Sequence, residues 1–210
     1  MKRLIIIGAG GYGRETFGIA LGAVGYGTDF DVKGFLDGRP DALDGFTGYP
    51  PVIGSPETYE PAADDVFVSA LGNIASRRKC VELIERRGGE FRSLVHRSAT
   101  LGPNVTVGEG TLIAPNAFVS ADVRIGRHAA VFHATSIGHD AVLGDFSHVY
   151  AQCAIGGEVV LGEGAIVYPG AVVTPRRTIG EDAVVGAGST VFLNVKRGET
   201  VFGNPARPVK

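Results

Sequence analysis

Aliphatic side chains recur at every sixth residue through the second half of the chain, from Val95 to Val191. An α-helix repeats its apolar positions every three or four residues and a half-buried strand every two, so neither element explains a period of six. A β-helix built from hexapeptide repeats does explain it. The repeating positions are Val95, Leu101, Val107, Ile113, Val119, Ile125, Val131, Ile137, Leu143, Val149, Ile155, Leu161, Val167, Val173, Ile179, Val185 and Val191.

A second position in each hexad supports this register. The residue two places before the aliphatic one is small or β-branched almost throughout, as at Ala117, Cys153 and Ala183. Glycine follows the aliphatic residue in more than half of the hexads, where a tight bend needs a permissive backbone. Arg177 breaks the pattern, so we expect the coil there to bulge or to turn this side chain outward.

The first part of the chain shows a different pattern, in which apolar runs alternate with amphipathic ones. This order predicts a small parallel α/β sheet with room for about three parallel strands. The predicted elements are a strand at 4–7, a helix at 14–24, strands at 32–36 and 66–71, and a helix at 74–87. We therefore divide the chain into a Rossmann-like domain at residues 1–92 and a β-helix domain at residues 93–210.

The amino-acid composition and charge limit the classes of binding partner that we expect for this protein. The formal net charge is −2 and no cluster of Lys and Arg is present, which argues against binding nucleic acid or an anionic membrane. The apolar run after Arg3 ends after four residues in a glycine cluster, so it predicts a buried strand rather than a signal peptide or a membrane segment. Two cysteines indicate no disulfide framework, and we expect a cytoplasmic protein.

A glycine-rich segment, Gly8-Ala9-Gly10-Gly11-Tyr12-Gly13, follows the first predicted strand and opens the first predicted helix. Together with Asp37 after the second strand, it has the context of a nucleotide-binding loop, in which backbone amides at a helix N-terminus approach phosphates. The domain is too short for a full dinucleotide fold, so a nucleotide diphosphate attached to another group is the better candidate. The alternative is a glycine turn that binds nothing.

All five histidines lie in the repeat half, and none occupies an inward position, so each is expected to project outward or from a corner. A solvated surface histidine is the default interpretation. His139 differs because Asp140 follows it, and a carboxylate that orients an imidazole makes it a better general base near neutral pH. Cys153 occupies an inward position and is predicted to be a core residue rather than a nucleophile.

The run from Ile137 to Val149, with Gly8 to Gly13 and Phe35 to Gly38, resembles the family of sialic-acid O-acetyltransferases and nucleotide-amino-sugar N-acetyltransferases. The resemblance extends over essentially the whole chain. It implies a left-handed parallel β-helix, in which three hexads form one coil of about eighteen residues. It also implies acetyl-CoA as co-substrate, a nucleotide sugar as acceptor and no metal.

The resemblance also implies a role for individual residues. His139 would be the general base and Asp140 would increase its basicity. Acetyl-CoA would be bound by one set of residues and the sugar nucleotide by another. The coenzyme set is His148, Gly157, Ala187, Gly203, Pro205 and Arg207, and the sugar-nucleotide set is Gly10, Gly11, Tyr12, Asp37 and Gly38.

A coil of this length places Gly157 directly beside His139, so the neighbour of the base has no side chain and a thioester carbonyl has room to approach a backbone N–H. His148 lies half a coil away, on another side of the prism. An outward aromatic stack is expected at eighteen-residue spacing, and it predicts a subunit contact in a homotrimer. Its members are Phe132, Tyr150 and Tyr168.

The chain departs from some amino-sugar acetyltransferases at Tyr12, where they have histidine, and at Phe132, where they have asparagine. These departures leave the acceptor open. We expect acetylation of an amine on a nucleotide-linked sugar, with acetylation of a hydroxyl on sialic acid or a related sugar as the alternative. More distant alternatives are an NAD(P)-binding oxidoreductase, suggested by the glycine motif, and a non-catalytic trimeric scaffold.

Overall fold

The computed structural model describes residues 1–209 and divides into two compact units, one formed by residues 1–94 and one that begins at Val95. Each unit has its own sheet system. The first unit contains five strands and two helices, and their order is strand, helix, strand, strand, strand, helix, strand. They are β1 (Lys2–Ile7), α1 (Gly11–Leu21), β2 (Phe30–Leu36), β3 (Val52–Gly54), β4 (Asp65–Ser69), α2 (Ile74–Arg86) and β5 (Glu90–Phe91).

The five strands form one parallel sheet in the order β3-β2-β1-β4-β5. The apolar run Leu4–Ile7 is fully buried in its centre, as expected for a strand covered on both faces. The prediction of about three strands is wrong, because β3 and β5 also join the sheet. Strands of three and two residues are too short to show a hydrophobic period, so the pattern did not reveal them.

The second unit is a stack of coils in which nearly every strand has two residues. Strands eighteen residues apart pair in parallel, as Ile137 pairs with Ile155. The strands are β6 (Leu94–Val95), β7 (Thr100–Leu101), β8 (Thr106–Val107), β9 (Leu112–Ile113), β10 (Phe118–Val119), β11 (Arg124–Ile125), β12 (Ala130–Val131), β13 (Ser136–Ile137), β14 (Val142–Leu143), β15 (His148–Val149), β16 (Ala154–Ile155), β17 (Val160–Leu161), β18 (Ile166–Val167), β19 (Val172–Val173), β20 (Thr178–Ile179), β21 (Val184–Val185), β22 (Thr190–Val191), β23 (Thr200–Phe202) and β24 (Arg207–Pro208).

These strands form three sheets, which are the three faces of the coil. Six strands make the first face (β22-β19-β16-β13-β10-β7), five the second (β20-β17-β14-β11-β8) and eight the third (β24-β23-β21-β18-β15-β12-β9-β6). Only β24 runs antiparallel to its neighbour. The predicted fold class is confirmed: a parallel α/β unit precedes a stacked-coil β-helix, and the arrangement is consistent with the left-handed form.

The core of the β-helix consists of the aliphatic residues predicted from the period of six and the small residues two places before them. From Ile113 onward these aliphatic residues are buried, whereas Leu101 in the first coil is 36% exposed. At Arg177 the strand register is unbroken, because β17 and β20 pair without a shift. The Arg177 guanidinium turns back instead and donates from Nε to the Pro175 carbonyl at 3.1 Å.

Candidate active site

His139 and Asp140 form a hydrogen-bonded pair at the turn that follows β13. Asp140 adopts a left-handed backbone conformation, with φ at 59°, which aspartate tolerates better than most residues. His139 Nδ1 lies 2.7 Å from Asp140 Oδ2, so the carboxylate accepts the Nδ1 proton and the neutral ring keeps its lone pair on Nε2. Both side chains are more than half exposed, and Nε2 is therefore the atom available to a substrate.

Gly157 lies directly against this imidazole, as the coil length predicted. The Glu158 N–H donates to the His139 carbonyl at 2.8 Å, which holds the two turns one above the other. A Cβ atom on Gly157 would lie 2.6 Å from His139 Nε2 and 2.8 Å from its Cε1. Any side chain at this position would overlap the imidazole, so glycine keeps the approach to Nε2 clear.

His148 occupies a different face from His139, since it lies in β15 of the eight-stranded sheet. Its ring stacks between Phe132, at 5.0 Å, and Tyr150, at 4.2 Å, and the residue is 1% exposed. His128 is 2% exposed. The expectation of solvent-accessible histidines is therefore wrong for these two, because the His148 ring lies between two aromatic rings and the His128 ring stacks on Phe146 at 5.0 Å. A coenzyme contact by His148 stays a prediction.

The aromatic stack at eighteen-residue spacing forms as predicted. Tyr150 stacks on Phe132 at 5.6 Å and on Tyr168 at 5.1 Å, with nearly parallel rings. Phe132 is 3% exposed and Tyr168 is 37% exposed, so only one end of the stack offers a large accessible ring.

The remaining predicted coenzyme residues lie near the C-terminal end of the β-helix. Gly203 has φ at 101° and donates its N–H to Ser189 Oγ at 3.0 Å, while Pro205 follows a cis peptide bond. Arg207 is exposed in β24 and lines a cavity of about 300 Å³. Ala187 is exposed in the turn after β21. None of these residues has a side chain that could act as a general base or a nucleophile, so their predicted role is in binding the coenzyme.

In the first unit, the glycine loop joins β1 to α1. A Cβ on Gly13 would lie 1.9 Å from the Gly8 carbonyl oxygen, so only glycine lets the helix approach the strand so closely. Gly10 and Gly11, at the start of α1, would have nothing within 4 Å of an added Cβ. The loop is thus closely packed against the protein at Gly13 and has open space beside Gly10 and Gly11. Tyr12 lies half-buried in the first turn of the helix.

The Asp37 carboxylate holds this loop against the end of β2. Oδ2 accepts the Ala9 N–H at 2.9 Å, and Oδ1 accepts the Arg39 N–H at 3.0 Å and lies 3.3 Å from Arg39 Nε. Burial by itself raises the pKa of Asp37, but these hydrogen bonds and the Arg39 charge outweigh it and hold the pKa below the ordinary value. Asp37 is thus already engaged in positioning the loop.

A cleft of about 200 Å³ adjoins the loop within the first unit. It lies at the carboxyl ends of β1 and β2, and Asp37 and Gly38 are on its wall. Three further side chains of this wall can make polar contacts and were not predicted from the sequence; they come from the segment after β3 and from α2. They are Glu57, Ser76 and Cys80. No spacing or motif in the sequence connects them with the glycine loop.

Cys153 does not carry the properties of a nucleophile. The residue is 2% exposed in the core of the β-helix, and burial raises the pKa of its thiol to about 11. Within residues 1–209, no helix is both long and apolar enough to span a membrane, and no group of three or more His, Cys, Asp or Glu side chains is arranged to hold a metal ion.

Two family models match the chain. Residues 3–84 match the PglD N-terminal domain, and residues 158–192 match the bacterial transferase hexapeptide family of six repeats. A curated relative, UDP-N-acetylbacillosamine N-acetyltransferase from Bacillus subtilis (strain 168), is 31% identical over 117 residues, which is 54% of this chain. The match spans about half (51%) of the length of that relative.

Solved structures match both units together. The acetyltransferase domain of PglB from Neisseria gonorrhoeae FA1090 is 29% identical, covers 100% of both chains and has a TM-score of 0.90. The same domain in complex with acetyl coenzyme A covers 99% of both chains, also at 29% identity, with a TM-score of 0.88. A mutant of perosamine N-acetyltransferase from Caulobacter crescentus, in complex with CoA and GDP-perosamine, is 26% identical, with a TM-score of 0.79 and coverage of 100% and 98%.

The chain thus matches the PglD N-terminal domain in its first unit and hexapeptide repeats in its second, and its structural neighbours include an acetyltransferase domain and a perosamine N-acetyltransferase. The resemblance stated from the sequence is confirmed.

Proposed function

We propose that this chain, a PglD N-terminal domain followed by a hexapeptide-repeat β-helix, transfers the acetyl group of acetyl-CoA to an amine on a nucleotide-linked sugar. The observation that carries the proposal is the His139–Asp140 pair with a glycine stacked against it. Relatives with the same two-unit architecture support it, since one is solved with acetyl coenzyme A and another with CoA and GDP-perosamine.

The proposed reaction is a direct transfer. The amine nitrogen attacks the thioester carbonyl, His139 Nε2 accepts the proton that the nitrogen loses, and the C–S bond breaks with departure of the CoA thiolate. Asp140 fixes the tautomer of the imidazole and stabilises its protonated form, because its carboxylate lies 2.7 Å from Nδ1. A backbone N–H beside the space at Gly157 stabilises the oxyanion of the tetrahedral intermediate.

No covalent acyl-enzyme is included in this proposal. Cys153 is the only cysteine of the repeats, and its burial and raised pKa make it a poor nucleophile. His148, Ala187, Gly203, Pro205 and Arg207 are proposed to contact the coenzyme.

The acceptor nucleotide is proposed to bind on the first unit. Its phosphates would approach the open backbone at Gly10 and Gly11, near Tyr12, Asp37 and Gly38. A cytoplasmic homotrimer is the proposed working form, in which the exposed end of the Tyr168 stack contributes to a subunit contact.

The test measures the release of free CoA thiol from acetyl-CoA in the presence of each of a panel of UDP-, GDP- and dTDP-linked amino sugars. Sialic acid and buffer alone are measured in parallel. Turnover with one amino sugar, and an amide product that resists mild alkali, is the expected result. Release with sialic acid alone, or a product that mild alkali cleaves, would replace this proposal by O-acetylation. A chain that does not bind acetyl-CoA would not be an acetyltransferase.

A further inference from the structure

We infer that the cleft of the first unit is a guanine pocket, in which the Glu57 carboxylate recognises the base, so that the acceptor is a GDP-linked amino sugar. The inference rests on the proposed function and deepens it by naming the nucleotide. The relatives leave this point open, because one is named for a UDP-linked substrate and another is solved with GDP-perosamine.

The position of the cleft is that of a nucleotide site. In an open parallel sheet, ligands bind outside the carboxyl ends of the strands where the strand order reverses, and here the order reverses at β1, which lies between β2 and β4. The cleft opens at these ends, next to Gly8 of the glycine loop. A diphosphate at the start of α1 would therefore leave its nucleoside beside the cleft.

Glu57 is the carboxylate of this cleft that is available to a ligand. Its side-chain carboxylate has no hydrogen-bond or ion-pair partner within residues 1–209, whereas both carboxylate oxygens of Asp37 already accept hydrogen bonds from the protein. Glu57 lines the cleft together with Cys80 of α2, and after burial, the negative charge of Glu57 is the second cause that raises the pKa of the Cys80 thiol. Glu57 itself is exposed, as a group that meets a ligand should be.

The segment that carries Glu57 is held in place from two sides. Arg87 donates from Nη1 to the carbonyls of Pro56, at 3.0 Å, and Tyr59, at 3.1 Å, and from Nη2 to the carbonyl of Glu57 itself. The Tyr59 hydroxyl lies 2.8 Å from an oxygen of the buried Asp65 carboxylate. Because these contacts exist without a ligand, little ordering is needed when the base binds.

The chemistry of the wall matches guanine better than the other bases. Guanine presents two neighbouring donors, N1–H and the N2 amino group, and a carboxylate accepts both at once. Uracil and thymine present one N–H between two carbonyl oxygens, which a carboxylate repels. Adenine and cytosine each place an acceptor nitrogen beside the amino group. The Ser76 hydroxyl, on the α2 wall, supplies a donor for the guanine O6 atom.

Calorimetric titration of the full chain with GDP, UDP, dTDP and ADP tests the inference. We expect GDP to bind at least about tenfold more tightly than UDP, because a site built for paired hydrogen bonds rejects a base that lacks them. Glu57→Gln should weaken GDP binding by about tenfold or more and leave UDP binding within about twofold, since an amide offers only one acceptor. Asp64→Asn is the matched control: it removes an exposed carboxylate from the same segment, outside the cleft wall, and should change neither affinity.

Arg87→Lys tests whether the hydrogen bonds of Arg87 hold the segment around Glu57 in place. A lysine cannot reach three carbonyl groups in the geometry of the guanidinium, so GDP binding should weaken while GDP remains preferred over UDP. Circular dichroism of each variant checks that the fold is retained.

Tighter binding of UDP or dTDP than of GDP would overturn the guanine assignment and leave the nucleotide-sugar acetyltransferase standing. An equal loss of GDP and UDP affinity in Glu57→Gln would overturn recognition of the base by this residue. If no diphosphate binds although acetyl-CoA does, the acceptor part of the proposed function fails as well.

Discussion

At the scale of single residues, the candidate chemistry depends on two backbone turns. Asp140 has a φ of 59°, and in this turn its carboxylate lies against His139 Nδ1. Gly157 in the next coil has no side chain that could cover His139 Nε2. The exposed pair adds little stability, since solvent screens it. We therefore expect its replacement to change turnover and to leave the fold intact.

His139→Ala removes the proposed base. The rate of CoA release with the best amino-sugar acceptor should fall by about 10²- to 10⁴-fold, the usual contribution of a general base. The thermal unfolding midpoint should stay within a few degrees of that of the unchanged chain. Turnover within about threefold of the unchanged chain would exclude His139 as the base.

Gly157→Ala tests the open approach to Nε2. The added Cβ would lie 2.6 Å from that atom, so the imidazole must move away from Asp140 or the substrate must be displaced. We expect turnover to fall by roughly tenfold or more, because small displacements at a reacting centre are costly. Steady-state kinetics measures the effect, and unchanged kcat and KM for acetyl-CoA would contradict it.

Asp37→Asn should reveal the charge that holds the glycine loop. The folded-state pKa of Asp37 lies below the ordinary value of 3.8 for an aspartate, so the contribution of the ionised carboxylate to stability is fully present above that pH. This contribution is lost as the pH falls through the folded-state pKa. At pH 7 we expect Asp37→Asn to lower the free energy of unfolding by about 1 kcal/mol. Urea unfolding at several pH values measures this difference, which should shrink below pH 4, and a pH-independent difference would argue against the charge.

At the scale of elements, the buried Lys33–Asp65 ion pair binds Tyr59 and thereby attaches the segment between β3 and β4 to the sheet. Lys33 Nζ on β2 lies 2.7 Å from both Asp65 Oδ1 and the Tyr59 hydroxyl, and the Asp65 side chain is fully buried. Burial opposes ionisation of Asp65, but the hydrogen bonds from Lys33, Ala62 and Tyr59 outweigh it and lower the pKa of this carboxyl. The segment that carries Glu57 therefore has a defined position.

Lys33→Met should leave the Asp65 carboxylate buried without its counter-charge. We expect a loss of about 3 kcal/mol in the free energy of unfolding, which is typical of breaking one side of a buried pair. Lys2→Met is a matched control, because the Lys2–Glu90 pair is exposed and such pairs contribute about 0 to 1 kcal/mol. Urea unfolding measures both, and equal losses would mean that burial does not distinguish the two pairs.

At the scale of the whole molecule, the β-helix exposes several large apolar side chains, among them Phe118 at 50% and Tyr168 at 37%. Scattered apolar residues are common on protein surfaces, but Tyr168 continues a stack of parallel rings. This arrangement supports the proposed homotrimer, in which such rings would be covered by another copy of the chain.

Sedimentation equilibrium of the purified chain should give a mass three times the chain mass of 21.8 kDa. Tyr168→Glu should shift the equilibrium toward smaller species, because it places a charge at the proposed contact. A mass of one chain at all concentrations would remove the trimer from the proposal.

The repeat half was predictable because its information is local. Each coil repeats the same inward positions, so a period of six in the sequence determines register, core and the neighbour of His139 without knowledge of distant contacts. The glycine loop was predictable for the same reason, since its residues are consecutive. The prediction failed where strands were too short to show a period, as in β3 and β5.

The sequence by itself therefore determined the two-part architecture, the coil register and the pairing of His139 with Asp140. Only the tertiary structure decided that His148 is buried in a ring stack and that Glu57 and Cys80 share the wall of one cleft. The physical reason is that burial and side-chain proximity arise from segments far apart in the chain. The proximity of Glu57 and Cys80 leaves no period or spacing in the sequence, and the eighteen-residue spacing that predicted the aromatic stack does not include His148.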